Sequence, residues 1–116
     1  MSQYQRREDL TGIPDLLGLA AKEGRAFMAF HHSMEREDGI IPRKYRELIA
    51  VGVAVAVQCP FCMEAHAKGA KAAGATREEI VEATFVASAI RAGAATTHGT
   101  MALKFFDQSA DGPAKA

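Results

Sequence analysis

The chain has 116 residues, with 14 basic and 14 acidic side chains and a formal net charge of zero. This length suits one domain, and the balanced charge excludes an electrostatic case for nucleic acid or an anionic membrane as a partner. The longest apolar stretch, residues 48–57, is much shorter than the roughly 18 residues that a membrane helix needs. The start of the chain is polar, without the apolar run of a secretory signal. We therefore expect a cytoplasmic protein.

The first elements are predicted from proline positions and apolar spacing. Residues 1–12 are polar and are predicted to be a loosely structured lead-in, so that the domain starts at residue 13. Pro14 suits the first turn of a helix, and apolar residues follow it at helical spacing. A charged segment containing glycine then predicts a break before Pro42, which opens a second helix.

The centre of this second helix, residues 48–57, has an ambiguous pattern. Valine alternates there with small residues, which also suits a strand. No other segment has the pattern of a partner strand, and an unpaired strand leaves its backbone groups unsatisfied. The segment is therefore predicted to be a helix, and because it is apolar all round we expect it to be buried on every side.

The last helix is predicted from its capping residues. Thr76 and Glu79 fit the Ser/Thr-x-x-Glu capping box that begins a helix. The apolar spacing continues to about Gly93, and residues 94–106 are predicted to continue as helix after a bend. Residues 107–116 are predicted to form a frayed tail. The predicted fold class is all-α.

Two cysteines lie three positions apart in the sequence Cys59-Pro60-Phe61-Cys62. Pro60 suits the first turn of a third helix that runs to about Ala73, which places Cys59 near the N-cap. Helix N-termini favour the thiolate, the reactive form of cysteine. A disulfide that closes so short a loop adds little stability, so in a reducing compartment the pair indicates redox or metal chemistry.

Two further residues are candidates for proton transfer. His66 is four residues after Cys62 and shares its helix face, so its imidazole can accept a proton from the thiol or return one. Glu47 lies on the preceding helix, about 15 Å from the turn at 1.5 Å rise per residue. Spacing alone therefore does not place Glu47 in the site.

The four residues together fit a fixed pattern. Glu47, Cys59, Cys62 and His66 match E-x11-C-x2-C-x3-H. In this pattern and its flanks, over roughly residues 40–98, the chain resembles the alkylhydroperoxidase D-like branch of the carboxymuconolactone decarboxylase superfamily. The resemblance implies a compact single-domain helical fold that assembles into homotrimers or homohexamers, and no cofactor.

The resemblance also implies a mechanism. Cys62 attacks a hydroperoxide and becomes a sulfenic acid, and Cys59 resolves it into a disulfide. Glu47 and His66 move protons, and an external dithiol partner reduces the disulfide. The best-known peroxidase of this branch has a histidine between its cysteines, whereas this chain has only Pro60 and a phenylalanine there.

Two other functions remain open from the sequence. Cys59, Cys62 and His66 are three candidate zinc ligands, although the second ligand pair of a typical zinc site is absent. The chain would then be a structural helical oligomer without turnover. The other is a decarboxylase-like lyase that acts on a small carboxylated substrate, with His66 or His98 as the acid–base group.

The remaining histidines and basic residues receive weaker predictions. His98 lies in the small, polar segment 93–99, and we predict that it lines the same pocket, although a histidine facing solvent fits the pattern equally well. His31 and His32 are interpreted as surface residues. Four basic residues are interpreted as solvated or subunit-bridging charges: Arg43, Lys44, Arg46 and Lys68.

The apolar content predicts a homo-oligomer. Hydrophobic residues make up 48% of the chain, and residues 48–57 and 80–90 are both nearly apolar. A domain of this size has room to bury about one such helix completely. The apolar surface that remains is expected to be covered by another copy of the chain.

Overall fold

A computed structural model of the protein describes residues 6–112. After the 3-10 helix Arg7–Gly12, five α-helices follow in chain order: α1 (Ile13–Leu19), α2 (Ala21–Met34), α3 (Arg43–Val57), α4 (Pro60–Ala72) and α5 (Arg77–Gln108). Residues 6–112 contain no strand, so the predicted all-α class is confirmed. The predictions for residues 1–5 and 113–116 lie outside the described part of the chain.

The N-terminal region is more structured than predicted. A 3-10 helix occupies the second half of the expected loose lead-in, and the single helix expected after Pro14 is two helices. They are separated at Ala20, whose backbone is not helical (φ −129°, ψ 69°). The start of α2 lies close to the end of α1. A Cβ on Gly24 would lie 2.4 Å from the carbonyl oxygen of Leu17. Glycine at position 24 permits this close approach of α2 to α1.

A tight connection joins α3 to α4. Gln58 ends α3 in the left-handed conformation (φ 60°, ψ 51°), and the N–H of Cys59 donates to the carbonyl of Ala54 at 3.0 Å. With so short a connection, the two helices run antiparallel and pack side by side. Residues two or three turns from Gln58 on either helix can therefore meet.

The last helix begins as predicted. Thr76 Oγ1 accepts from the N–H of Glu79 at 3.1 Å, and Glu79 Oε1 accepts from the N–H of Thr76 at 2.9 Å, which confirms the capping box. Helix α5 then continues without interruption through Gly93. It packs on α3 as far as Arg91, whose guanidinium donates to the carbonyl of Ala56. Beyond that point every described residue is exposed.

The expectation that α3 is buried on every side is wrong for the single chain. Val51 and Ala54 are buried, but Ile49, Val53 and Val57 are 55%, 55% and 65% exposed. The chain is also elongated: its Cα radius of gyration is 20.1 Å, whereas a compact domain of this length has about 13 Å. Within residues 6–112, no helix combines the length and the apolar character needed to cross a membrane.

Candidate active site

The cysteine pair lies at the N-terminus of α4. Cys59 and Cys62 form a disulfide with their Cα atoms 5.3 Å apart. Cys59 is the N-cap residue, as predicted, and its Sγ accepts from the N–H of Cys62 at 3.3 Å. Pro60 occupies the first turn. In the reduced protein, these N–H groups and the helix dipole stabilise a thiolate.

His66 follows Cys62 by one turn of α4, and both line a cavity of about 390 Å³. His66 is only 7% exposed. Its Nδ1 lies 2.8 Å from Oε2 of Glu47, which is 3% exposed. The sequence spacing did not place Glu47 in the site, because Glu47 is far along α3 from the turn that holds Cys59. In the antiparallel hairpin, Glu47 meets His66, which is itself two turns away from the connection.

Glu47 is held from its other side by Arg43. The Nε and Nη2 atoms of Arg43 each lie 2.8 Å from Glu47 Oε1. This hydrogen bond to Glu47 is the main reason that the pKa of Arg43 is raised above its ordinary value. Because a carboxylate only accepts hydrogen bonds, Nδ1 of His66 must be the donor. In the neutral imidazole, Nε2 is then the nitrogen without a proton and can act as a base.

Gly69 provides the space that the Glu47 carboxylate occupies. A Cβ at position 69 would lie 2.7 Å from both Cδ and Oε2 of Glu47. Sequence reasoning did not single out Gly69. The available signal was an isolated glycine within a helical pattern, three residues after His66, which is typical of a close packing contact.

The walls of the cavity come from three helices and the segment before α3. Its polar residues besides Cys62 and His66 are His31 and Arg46. His31 therefore lines the cavity while its side chain remains 37% exposed at the surface, and His32 is exposed. The other lining residues are apolar: Met34, Ile41, Ile49, Ala50, Val53, Ala54 and Val57.

The basic residues interpreted as solvated charges have defined partners. Arg46 donates to the carbonyls of Ile41 and Met34, at 3.0 and 3.2 Å, and so ties the preceding segment to α3. Lys44 pairs with Glu79 of α5 at 2.8 Å. Lys68 bonds Glu64 on the exposed side of α4, at 3.1 Å. These contacts are local to one chain.

His98 does not lie with the predicted site residues. It is exposed on the part of α5 that extends beyond α3 and is not among the residues lining the cavity. Within one chain, His98 lies away from the cavity because α5 continues straight past the end of α3. Among residues 6–112, no three His, Cys, Asp or Glu side chains are grouped so as to hold a metal ion.

The fold and the site define an all-helical protein with a cysteine pair beside a buried Glu–His pair. Residues 21–105 match the model of the carboxymuconolactone decarboxylase family. The chain therefore belongs to that family.

Similar proteins agree with this assignment. The chain is 49% identical over 71 residues to uncharacterized protein 4 in cox locus of Paracoccus denitrificans. That match covers 61% of this chain and 64% of the relative, just under two thirds of the relative's length. An uncharacterized protein of Cupriavidus necator is 32% identical over 91 residues, which cover 77% of this chain and 80% of the relative.

A solved structure has the same fold. The crystal structure of a protein from Methanobacterium thermoautotrophicum superposes with a TM-score of 0.67 at 34% sequence identity. The superposition covers 74% of this chain and 96% of the other. The shared architecture therefore includes most of the helical domain.

Proposed function

We propose that the protein is a thiol-dependent peroxidase that reduces hydroperoxides through Cys59 and Cys62. The observation that carries this proposal is the geometry around α4. Cys62, which forms a disulfide with Cys59 at the helix N-terminus, shares a cavity with His66, and the buried, Arg43-bound carboxylate of Glu47 orients that histidine. A nucleophile next to a base that a third group orients is the general arrangement of covalent catalysis.

The reaction that we propose has three steps. His66 takes the proton of the Cys62 thiol, and the thiolate attacks the hydroperoxide, so that an S–O bond forms and the O–O bond breaks. The alcohol leaves with one proton, and Cys62 is oxidised to a sulfenic acid. The Cys59 thiol then displaces water from this sulfur and forms the disulfide. An external dithiol reduces the disulfide by thiol–disulfide exchange and is itself oxidised.

The assignment of the two cysteines can be tested by substitution. Cys62→Ser should abolish oxidation by hydroperoxide, whereas Cys59→Ser should leave a sulfenic acid at Cys62 that a dimedone-type reagent traps. The measurement is the loss of free thiol after mixing the reduced protein with hydroperoxide. A Cys62→Ser variant that consumes hydroperoxide at the parent rate contradicts the assignment.

Turnover requires a dithiol reductant and a cellular compartment in which that reductant stays reduced. We propose the cytoplasm for this reason, since thiol pools there reduce disulfides. A panel of small dithiols and dithiol proteins, assayed for steady-state hydroperoxide reduction, identifies the class of reductant. Reductants with one thiol should support slower turnover. In a dithiol, the second thiol of the same molecule attacks the mixed disulfide and releases the reduced protein, whereas a single thiol needs a second molecule.

We also propose that the protein works as a homo-oligomer, with a trimer or a hexamer as the expected assembly. The elongated shape and the exposed apolar side chains support this proposal, since monomers rarely expose so much apolar surface. Among residues 6–112, six large apolar residues are each more than two thirds exposed in the single chain: Leu19, Phe30, Ile40, Phe85, Ile90 and Phe106.

The name of the matched family supports a second candidate, a lyase acting on a small carboxylated substrate. His66 would then be its acid–base group. This activity requires no cysteine chemistry, so Cys59→Ser and Cys62→Ser should both retain it. Carbon dioxide release from lactone and β-keto acid substrates, unaffected by these substitutions, would favour the lyase over the peroxidase.

A further inference from the structure

The cavity beside Cys62 contains a second imidazole, that of His31 from α2. The centroid of its ring lies 6.1 Å from that of His66. Phe27, one turn earlier, lies 5.7 Å from it, centroid to centroid. Glu35, one turn later, places Oε1 at 3.5 Å from its Nε2. Phe27 on α2 and Glu35 directly after it hold the His31 ring at the mouth of the site that α3 and α4 form.

The other two basic side chains that line this cavity, His66 and Arg46, already bind buried or backbone groups. His66 uses Nδ1 on Glu47, and Arg46 donates to the carbonyls of Ile41 and Met34. Within the described part of the chain, the one polar partner of His31 is the partly exposed Glu35. It is therefore able to exchange protons both with solvent and with a molecule in the cavity.

The geometry points to His31 as the general acid that protonates the leaving oxygen of the hydroperoxide, an inference that rests on the proposed peroxidase function. In an in-line displacement, the leaving oxygen lies on the far side of the attacked oxygen from the sulfur. Cys62 and His66 both project from α4, so the far side is bounded by α3 and α2. The α3 wall is apolar except for Arg46, whose guanidinium donates to the carbonyls of Ile41 and Met34, and His31 is the proton donor on α2.

The distance between the two imidazoles is consistent with His66 acting as the base and His31 as the acid. Their centroids are too far apart for a direct hydrogen bond between ring nitrogens. A pair of bonded oxygens can instead lie between them, with one near each ring. His66 is placed to receive the proton from Cys62, while His31 is placed to supply one on the opposite side.

The Cys62 thiol passes its proton to His66, and the sulfur donates an electron pair to the terminal peroxide oxygen. The O–O bond breaks, and the alkoxide takes a proton from the His31 imidazolium and leaves as the alcohol. His66 returns its proton to solvent and His31 takes one up. The sum is one thiol and one hydroperoxide giving one sulfenic acid and one alcohol.

Two oxidants with different leaving groups test this role. tert-Butyl hydroperoxide releases an alkoxide, which needs a proton, whereas peracetic acid releases a carboxylate, which does not. With the reduced full-length protein, His31→Phe should slow the oxidation of Cys62 by tert-butyl hydroperoxide about 10²-fold. Oxidation by peracetic acid should change less than about twofold, since acid catalysis is worth little for such a leaving group.

The controls separate this role from a structural one. His31→Gln should show the same dependence on the oxidant, because an amide cannot transfer a proton, and His32→Phe on the exposed neighbour should match the parent with both oxidants. An equal loss of rate with both oxidants, or no loss with either, overturns the role of His31 while leaving the peroxidase intact. A parent protein that reacts with neither oxidant overturns the peroxidase, and this inference with it.

Discussion

The side-chain carboxylate of Glu47 is held in place by three neighbouring residues. One carboxylate oxygen accepts from Arg43 and the other from His66, and Gly69 packs against the carboxyl carbon. A histidine held in this way keeps one tautomer and one ring orientation. The base is therefore already positioned before a substrate arrives.

Removing this orientation should slow the thiol step without unfolding the chain. We expect Glu47→Gln and His66→Phe each to slow oxidation of Cys62 by about 10²–10⁴-fold, the usual worth of general acid–base help. Stopped-flow oxidation of the reduced protein measures the rate. Glu64→Gln, on the exposed side of α4, is the matched control and should match the parent. Rates within twofold of the parent for both variants would remove Glu47 and His66 from the mechanism.

Gly69→Ala tests the packing around the carboxylate. The added methyl group would approach Glu47 to 2.7 Å, so the carboxylate must shift away from His66. We expect a slower thiol oxidation, by about 10-fold or more, since misplacing a catalytic group by about 1 Å costs up to 10²-fold. Gly93→Ala is the control, because a Cβ there meets nothing within 4 Å. Equal rates for the two variants would contradict the packing role of Gly69.

At the scale of the elements, an ion pair links α3 to the start of α5. Lys44 and Glu79 lie 2.8 Å apart, and this hydrogen bond is the main cause that raises the pKa of Lys44 and lowers the pKa of Glu79. Stabilisation from Glu79 is thus complete above its ordinary value of 4.5 and is lost as pH falls through the lowered pKa. Stabilisation from Lys44 is complete below 10.5 and is lost as pH rises through the raised pKa.

Lys44→Met should therefore reduce stability in a pH-dependent way. The difference in the free energy of unfolding between parent and variant should be constant between pH 4.5 and 10.5 and shrink on either side. Denaturant titrations at a series of pH values measure it. Lys68→Met, which removes an exposed pair within α4, should show a smaller difference throughout. A Lys44→Met difference that does not shrink in acid would show that the ion pair contributes nothing.

In the connection between α3 and α4, the left-handed backbone conformation of Gln58 is energetically unfavourable. A residue with a side chain in the left-handed region costs about 1–2 kcal/mol more than in the right-handed helix, and glycine avoids most of this cost. Gln58→Gly should raise the free energy of unfolding by about 0.5–1 kcal/mol. Gln58→Ala, which retains a Cβ, should give no such gain, and denaturant titration distinguishes the two. Equal stabilities would mean that the connection is not strained at this residue.

For the whole molecule, the exposed apolar groove between α3 and α5 predicts self-association. Val86 and Ile90 from α5 line this groove together with Gly52 and Val53 from α3. Light scattering should give a mass several times the 12.4 kDa of one chain. Val86→Glu should reduce this mass, since an unpaired charge in an apolar interface is costly, whereas Ser88→Glu outside the groove should have less effect. A stable, folded monomer of the parent at micromolar concentration would contradict the proposal.

The sequence by itself determined the helical class, the start of α5 and the place of the cysteine pair at the start of α4. These features depend on neighbouring residues: the Thr76–Glu79 capping box, Pro60 in the first turn, and the four-residue interval between Cys62 and His66. Local hydrogen bonds and helical periodicity decide them, and both are visible in a short window of sequence.

The tertiary structure alone decided which distant residues share the site. Glu47 meets His66 only because α3 and α4 are antiparallel, and His31 approaches His66 where Arg46 of α3 is hydrogen-bonded to Met34 at the end of α2. The same packing excludes His98, because α5 continues beyond the end of α3. Each of these contacts depends on the direction in which a helix leaves a turn. No local pattern fixes that direction, since it results from how apolar faces and close glycine contacts pack together.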